Sequence, residues 1–405
     1  MRYVADLHIH SPFSRATSPR STLEGLALAA RRKGVSVLAT GDGVHPRWFD
    51  TLRESLVEVE SGFFALKKDD AGPPVRFVLS TEISSIYSRG GRGRRVHNLF
   101  YFPDMESLHR FSGRLLHRGL NLASDGRPIV GLDCRDLFEI FLDTVPGGFM
   151  VPAHVWTPWF SLLGSRSGFD GVEDCFGDLT PQIFALETGL SSDPAMNRLV
   201  SSLDRYTLIS NSDSHSPEMI GREANILATG FDFHSLREAI RGGTRDRFYA
   251  TVEFFPEEGK YHADGHRPCG VRLDPEETKA LGGRCPVCGG KVTVGVLSRV
   301  KELADRNIPH FPDHSPLVFS LIPLVEILAE IRGEKPASRG VIRAYGELVT
   351  RFESELAILL DRDPADLSSY DERLGEAVRR LRAGAVTRIP GYDGQYGTIR
   401  LFDEV

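Results

Sequence analysis

Asp6-Leu7-His8-Ile9-His10, close to the N-terminus, decides the reading of this chain once it is set beside Asp213-Ser214-His215, midway along it. In an extended segment residues i and i+2 project to the same face, so His8 and His10 stand side by side, as do Asp213 and His215. Two such pairs make two halves of one metal site. Imidazole nitrogen and carboxylate oxygen suit Zn²⁺, Mn²⁺ or Fe, and with no thiolate among them they favour an open catalytic site over a closed structural one. A His-x-His pair alone is as readily a solvent-facing pair, so its partners elsewhere in the chain carry the weight.

Those partners follow short apolar runs. Val35–Ala39 leads into Thr40-Gly41-Asp42 and His45, Val75–Leu79 into Glu82, and Phe149–Val151 into His154; Ile183–Leu186 reaches Glu187 and Tyr206–Ile209 reaches Asp213. Each candidate lies just past the C-terminal end of a predicted strand, where a (β/α) barrel gathers its active site. Between the strands, Leu23–Lys33, Met105–Arg118 and Leu236–Arg241 read as helices, and such alternation predicts a parallel sheet with helices outside. Sequence alone does not choose between open sheet and barrel. Leu120–Asp143 reads as a connection and a helix without chemistry. Glu187 is expected either to orient a ligand imidazole or to pair with an arginine.

Around Glu257–Lys260 the composition shifts to Gly, His, Arg and Cys. Two close pairs follow, His266-x₂-Cys269 and Cys285-x₂-Cys288, a ribbon pattern in which two tight turns offer four ligands to one structural Zn²⁺. His262 competes with His266 for the fourth place. From Leu297 the chain reads as mainly helical, over Val300–Arg306, Leu321–Arg332, Ser338–Leu359 and Glu372–Ala383. The expected division is a barrel over 1–250, a zinc-binding segment over 251–296 and a helical part over 297–405. Arg89-Gly-Gly-Arg92-Gly-Arg94-Arg95 is either a solvated loop or a phosphate grip over the site. Pro390–Gly397, with Tyr392 and Tyr396, is either a hairpin packed on the helices or a stacking element for an extruded base.

A chain of 405 residues with 41% apolar and 26% charged residues is large enough for two or three globular domains. Its net charge of −6 argues against a nonspecific DNA-coating protein. No leader and no membrane-length apolar run is read, so a cytoplasmic protein is expected, and Cys134 and Cys175 are expected as buried, reduced thiols.

The series of acids and imidazoles after strands resembles the PHP (polymerase and histidinol phosphatase) superfamily of metal-dependent phosphoesterases. Beyond it, Asp6–Ser18, Gly259–Cys269, Cys285-Pro-Val-Cys288 and Ile389–Gly397 look like endonuclease Q, and this resemblance runs through nearly the whole length. It implies an α/β fold with a distorted (β/α)₇ barrel, and cleavage of damaged DNA by metal-activated water on the 5′ side of deaminated bases (hypoxanthine, uracil, xanthine) and at abasic sites. It implies two or three divalent metals (Zn, Mn, Mg or Fe) held by His8, His10, Glu82, His97, His154, Asp213 and His215. Asp213, His215 and Glu82 would carry catalysis, Glu82 as the bridging carboxylate. Asp42 stands where superfamily members usually have His, and is expected, in preference to His45, to take that ligand place. Ser14-Arg15 stands where many relatives carry a further His or acid; Arg15, with Arg92, Arg94 and Arg95, is expected to face DNA phosphates. Two other functions fit the ligands: a phosphatase of a small monoester such as histidinol phosphate, and a noncatalytic nucleic-acid-binding protein. The first leaves the zinc segment and helices without a role, and the second leaves an intact ligand set unexplained.

Overall fold

The runs ahead of the candidate ligands form strands, several of them short and buried on both faces as inner strands of an α/β protein are. In the computed structural model, which describes residues 2–68 and 72–402, they are β1 (Tyr3–Asp6), β2 (Val37–Ala39), the hairpin β3 (Leu56–Glu60) and β4 (Phe63–Leu66), β5 (Arg76–Arg89), β6 (Arg92–Phe102), β7 (Ile129–Val130), β8 (Phe149–Pro152), β9 (Ala185–Glu187), β10 (Thr207–Ile209), β11 (Ala224–Leu227) and β12 (Phe248–Glu253). Helices alternate with them. Leu23–Lys33 shows why the alternation is crisp: Thr22 caps its first turn through Gly25 N, and Gly34, at φ 88°, ends it before β2.

β1, β2 and β5 pair in parallel, β5 pairs with β6, β6 with β8, and β9 with β10. The ring closes where Val155 N donates to Glu187 O and where Ile9 and Ser214 form a parallel bridge. The result is a distorted barrel rather than an open sheet. β6 departs from the parallel expectation and runs antiparallel to both neighbours. The cause is local: Gly90 and Gly91, at φ 59° and 72°, make a two-residue hairpin turn that leaves no room for a crossover helix. The stretch read as a loop is therefore the tip of a long hairpin. Outside the ring, β11 and β12 extend the sheet beyond β1.

After β12 comes a small hairpin, β13 (Asp264–His266) and β14 (Val271–Leu273), whose own apolar core is small, Leu273, Cys285 and Val292 with Cys269 and Val271 partly buried against them. The helices Val296–Leu303, Leu324–Arg332, Arg339–Arg351 and Glu372–Arg382 follow. The stretch read as one helix over 338–359 stops at Arg351, and Glu353 takes φ 77° before a further turn at Ala357–Asp361. β15 (Leu317–Ser320) runs back to pair in parallel with β12. Val300, Leu324 and Ile358 belong to the same continuous apolar core as barrel residues such as Leu38 and Phe77. Lys33 and Glu355, both buried, form a 2.7 Å ion pair between the first barrel helix and the C-terminal region. A last hairpin, β16 (Thr387–Ile389) and β17 (Thr398–Arg400), closes the chain. Among the described residues no helix is long and apolar enough to cross a membrane.

Candidate metal centre

At the mouth of the barrel the chain collects three overlapping donor groups: His8, His10 and Glu82; His10, Asp213 and His215; and Glu82, His97 and His154. Within each, one donor atom per residue lies within 4.8 Å of the others. His8 and His10 continue β1, and Asp213 and His215 follow β10, so the Ile9–Ser214 bridge holds the two i,i+2 pairs abreast. Glu82 and His97 reach the site from inside strands. They face the same cavity because His97 is opposite Ser84 in the β5–β6 register, two residues from Glu82.

Glu82 is the hub. One carboxylate oxygen lies 2.7 Å from His97 Nδ1 and 3.3 Å from His154 Nε2; the other is 3.3 Å from His10 Nε2 and 3.5 Å from His8 Nε2. Asp213 Oδ1 lies 3.1 Å from His10 Nε2, 3.5 Å from His8 Nε2 and 3.6 Å from His215 Nδ1. Burial raises the Glu82 carboxyl, but His97, Arg127 and His8 outweigh it and hold Glu82 well below the carboxylate range. Burial likewise opposes charge on His8 and His10, yet the surrounding carboxylates, led by Glu187 and Asp42 respectively, drive both well above the imidazole range. His97 and His215 go the other way, burial holding both below the imidazole range, His97 at about 4.

Two buried carboxylates stand behind the imidazoles. Glu187 places both oxygens 3.1 Å from His8 Nδ1 and also accepts from His154 N and Asn211 Nδ2, each at 2.8 Å. It orients His8, the first of its two expected roles. Fixing Nδ1–H in this way presents the Nε2 lone pair to the cavity, and His8 Nε2 is buried with no hydrogen-bond partner among the described residues. An orphaned imidazole nitrogen facing two carboxylates is what a divalent cation completes, so the residues present fit a metal.

Asp42 corrects the sequence expectation. Its Oδ1 lies 3.0 Å from His10 Nδ1, the ring nitrogen that faces away from Asp213, and its Oδ2 accepts from Ser11 N, Ser11 Oγ and Ser14 Oγ at 2.7, 2.5 and 2.8 Å. Both oxygens are committed behind His10, and Asp42 belongs to none of the donor groups. His45 is no substitute: it caps the helix Pro46–Ser55 and stacks on Phe13 at 4.5 Å.

Arg127 was not anticipated. It lies in the segment read as free of chemistry, yet its Nη1 donates to Glu82 Oε2 at 3.1 Å. Gly126 makes this possible, because a Cβ there would stand 2.4 Å from both Asp42 Oδ2 and Ser14 Oγ. No local pattern marks the position; the Asp125-Gly126 turn was its only signal. The other arginines differ among themselves. Arg15 is 87% exposed, with Nε 4.0 Å from Asp125 Oδ2. Arg92 and Arg95 are exposed on the hairpin, whereas Arg94 donates to Gly168 O and lies 4.0 Å over Phe169.

His266, Cys269, Cys285 and Cys288 form a fourth donor group, with Cys288 Sγ 3.6 Å from His266 Nδ1. His262 is buried outside it. Burial raises the Cys285 thiol, but the backbone N–H groups of Cys288 and Val287 bring it down to about 7. Three thiols and one imidazole around so small a core suit a closed Zn²⁺ site. Tyr392 and Tyr396 sit on a hairpin packed on this segment rather than on the helices: Tyr392 bridges Ala263, and Asp393 accepts from Arg267 N and Thr293 Oγ1.

Comparison with known proteins agrees with this layout. Residues 323–385 match the family model described as MJ0043 C-terminal domain. Protein MJ0043 of Methanocaldococcus jannaschii is 32% identical over 254 residues, 61% of this chain but 31% of its own length, so the chain spans about a third of that relative. The crystal structure of the lesion-specific endonuclease PfuEndoQ from Pyrococcus furiosus superposes with a TM-score of 0.88 at 30% identity, covering 99% of this chain and 95% of that one. Endonuclease Q in complex with a 27-mer duplex substrate, an abasic lesion at its active site, matches with a TM-score of 0.87 at 30% identity over 100% and 97% of the two chains. Likeness of this extent takes in the barrel, the Cys/His segment and the helices together, and by it the chain belongs to the endonuclease Q family.

Proposed function

We propose that this chain is a lesion-specific DNA endonuclease that hydrolyses the phosphodiester 5′ of deaminated bases and at abasic sites. The full-length likeness to PfuEndoQ, zinc segment and helices included, is the observation that carries this reading. A small-molecule phosphatase needs the barrel alone.

In this reading His8, His10, Glu82, His97, His154, Asp213 and His215 hold two or three divalent ions, with Glu82 shared between groups. Bound there, such ions supply Lewis acidity toward a phosphodiester and lower the pKa of water. The chain's own residues set the geometry. Glu187 and Asp42 fix the tautomers of His8 and His10, and Arg127 offers a guanidinium at the edge of the cluster for a phosphate oxygen. Arg92 and Arg95 supply cations further along the hairpin. His266, Cys269, Cys285 and Cys288 hold one structural Zn²⁺. The three-part division at about residues 250 and 297 belongs to the same proposal, with β15 returned to the barrel sheet.

The test is to incubate the purified protein and Mn²⁺ or Mg²⁺ with duplexes carrying inosine, uracil or an abasic site, with an undamaged duplex, and with p-nitrophenyl phosphate. Nicking of a lesion duplex in strong preference to the other two substrates is expected. Turnover of the monoester alone would favour the phosphatase.

A further inference from the structure

Two aromatic residues between the metal centre and the zinc segment have no part in either. Phe160 has its ring centroid 4.9 Å from that of His97, and its carbonyl accepts from His97 N at 3.2 Å. Arg95 lies 5.5 Å over the same ring. Trp159 is 39% exposed, meets Tyr261 of the zinc segment edge-on at 5.8 Å, and has Arg166 5.8 Å over it. Lys260, the residue before Tyr261, stands 4.6 Å over the exposed Tyr396 ring. Phe160 and Trp159, adjacent in the chain, therefore touch the metal cluster at one end and the zinc segment at the other, each with a guanidinium beside its ring.

The presentation of these rings is built. Thr157 Oγ1, 3.2 Å from His154 Nδ1, donates to Trp159 O at 3.0 Å, and Phe160 N donates to Ser167 Oγ at 3.2 Å. Phe160 takes φ 62°, a left-handed conformation that costs a residue with a large side chain energy and that accumulates at functional sites. The other tryptophans behave as core residues do. Trp48 and Trp156 are 2% and 0% exposed, and their indole N–H groups are spent on Gly41 O and Asn197 Oδ1. Only Trp159, of the chain's 3 tryptophans, is left at the surface.

A flat exposed ring with a guanidinium beside it fits a nucleobase with its phosphate, since stacking accepts any base face and the cation can meet the backbone. We propose that Trp159 and Phe160 form a stacking platform over which the strand unstacked at a lesion runs from the metal centre toward the zinc segment, with Trp159 against a base beside the cleaved linkage. This rests on the reading of the chain as a DNA endonuclease. It adds a recognition surface outside both metal sites.

Intrinsic tryptophan fluorescence of the full-length protein tests it, because the exposed indole is the one a base can reach. Titration with a dT oligonucleotide, and with an abasic-site duplex, should give a saturable quench. Trp159→Phe should remove the quench while keeping binding, followed by anisotropy of a labelled strand. Trp159→Ala should weaken binding by about 5- to 150-fold, the range of one base stacked on one ring, with thermal unfolding unchanged. Binding without quench, or unchanged affinity in Trp159→Ala, overturns the platform, as does failure of dT to bind at all. The two readings fail separately. A wild-type protein that is quenched but nicks no lesion duplex keeps the platform and loses the endonuclease, and one that nicks without quench does the reverse.

Discussion

Asp42 and Asp213 touch opposite nitrogens of His10, and substitution separates the two roles. Asp42→Asn keeps His10 in place but weakens its orientation, so metal affinity should fall by about 10- to 100-fold, with activity restored at high metal concentration. Asp213→Asn removes a charged donor facing the cavity; nicking should be lost at any metal concentration while thermal stability holds. Metal titration of nicking by the two purified variants checks both, and identical behaviour would place the two carboxylates in one role. Arg127→Ala should lower kcat/KM on lesion DNA by about 10- to 150-fold, the equivalent of one charge-assisted hydrogen bond of about 1.5–3 kcal/mol. Its metal content should be unchanged by elemental analysis. Sequence made these residues unequally visible. The i,i+2 pairs were legible because strand geometry translates spacing directly into direction. Asp42 follows β2 as expected, but its two oxygens are taken up by His10 Nδ1 and by Ser11 and Ser14, contacts that spacing along the chain does not announce. Arg127 was missed because its role depends on a loop tucked against Asp42 from another part of the chain.

Two elements invite measurement. Of the arginines on the β5–β6 hairpin, Arg92 and Arg95 are exposed, while Arg94 is spent on Gly168 O and Phe169. Arg92→Ala with Arg95→Ala should therefore flatten the salt dependence of DNA binding by about two units of slope. Adding Arg94→Ala should also loosen the segment around Phe169 and lower the melting temperature. Where β11 and β12 begin and end, Glu223 and Glu253 are buried together. Burial is the main cause that raises Glu253 to about 8 from its ordinary 4.5, and burial with the charge of Glu253 drives Glu223 well above that range. An acid whose folded pKa is raised stabilises fully below its unfolded value and loses that contribution as pH rises through the folded one. Stability should thus decline between about pH 4.5 and 8 on their account. Glu253→Gln should flatten that part of a plot of melting temperature against pH. A plot of unchanged slope would mean the pair is already charged in the folded protein. The strands themselves were readable from apolar runs; the reversal of β6 was not, since it hangs on two glycines inside what reads as a basic loop.

At the scale of the molecule, the two kinds of metal site should part company under chelation. The nitrogen and oxygen donors at the barrel mouth form an open site, and its ions should leave first and be replaceable by Mn²⁺ or Mg²⁺. On the proposed reading, zinc at Cys269, Cys285, Cys288 and His266 should leave only as that segment unfolds, because the core of Leu273, Cys285 and Val292 is too small to hold its shape alone. Elemental analysis alongside circular dichroism during an EDTA titration should show the two stages; full activity in protein free of zinc would count against the closed site. The C-terminal region was legible as helical, but its attachment was not. β15 and the shared core around Val300 and Leu324 tie it to the barrel through contacts that no periodicity announces.

The closure of β5 and β6 by Gly90 and Gly91 has a consequence for how such a chain can vary. Glu82 and His97 owe their alignment to the ladder between them, so inserting a residue within either strand would swing one donor out of the cavity. Beyond Arg89 and Arg92 the ladder has ended, and the tip can lengthen, shorten or change charge without disturbing a single donor. On the proposed reading the donors Glu82 and His97 and the phosphate-facing Arg92 and Arg95 then share one hairpin yet answer to different changes, the donors to a shift of register and the arginines to substitution in place.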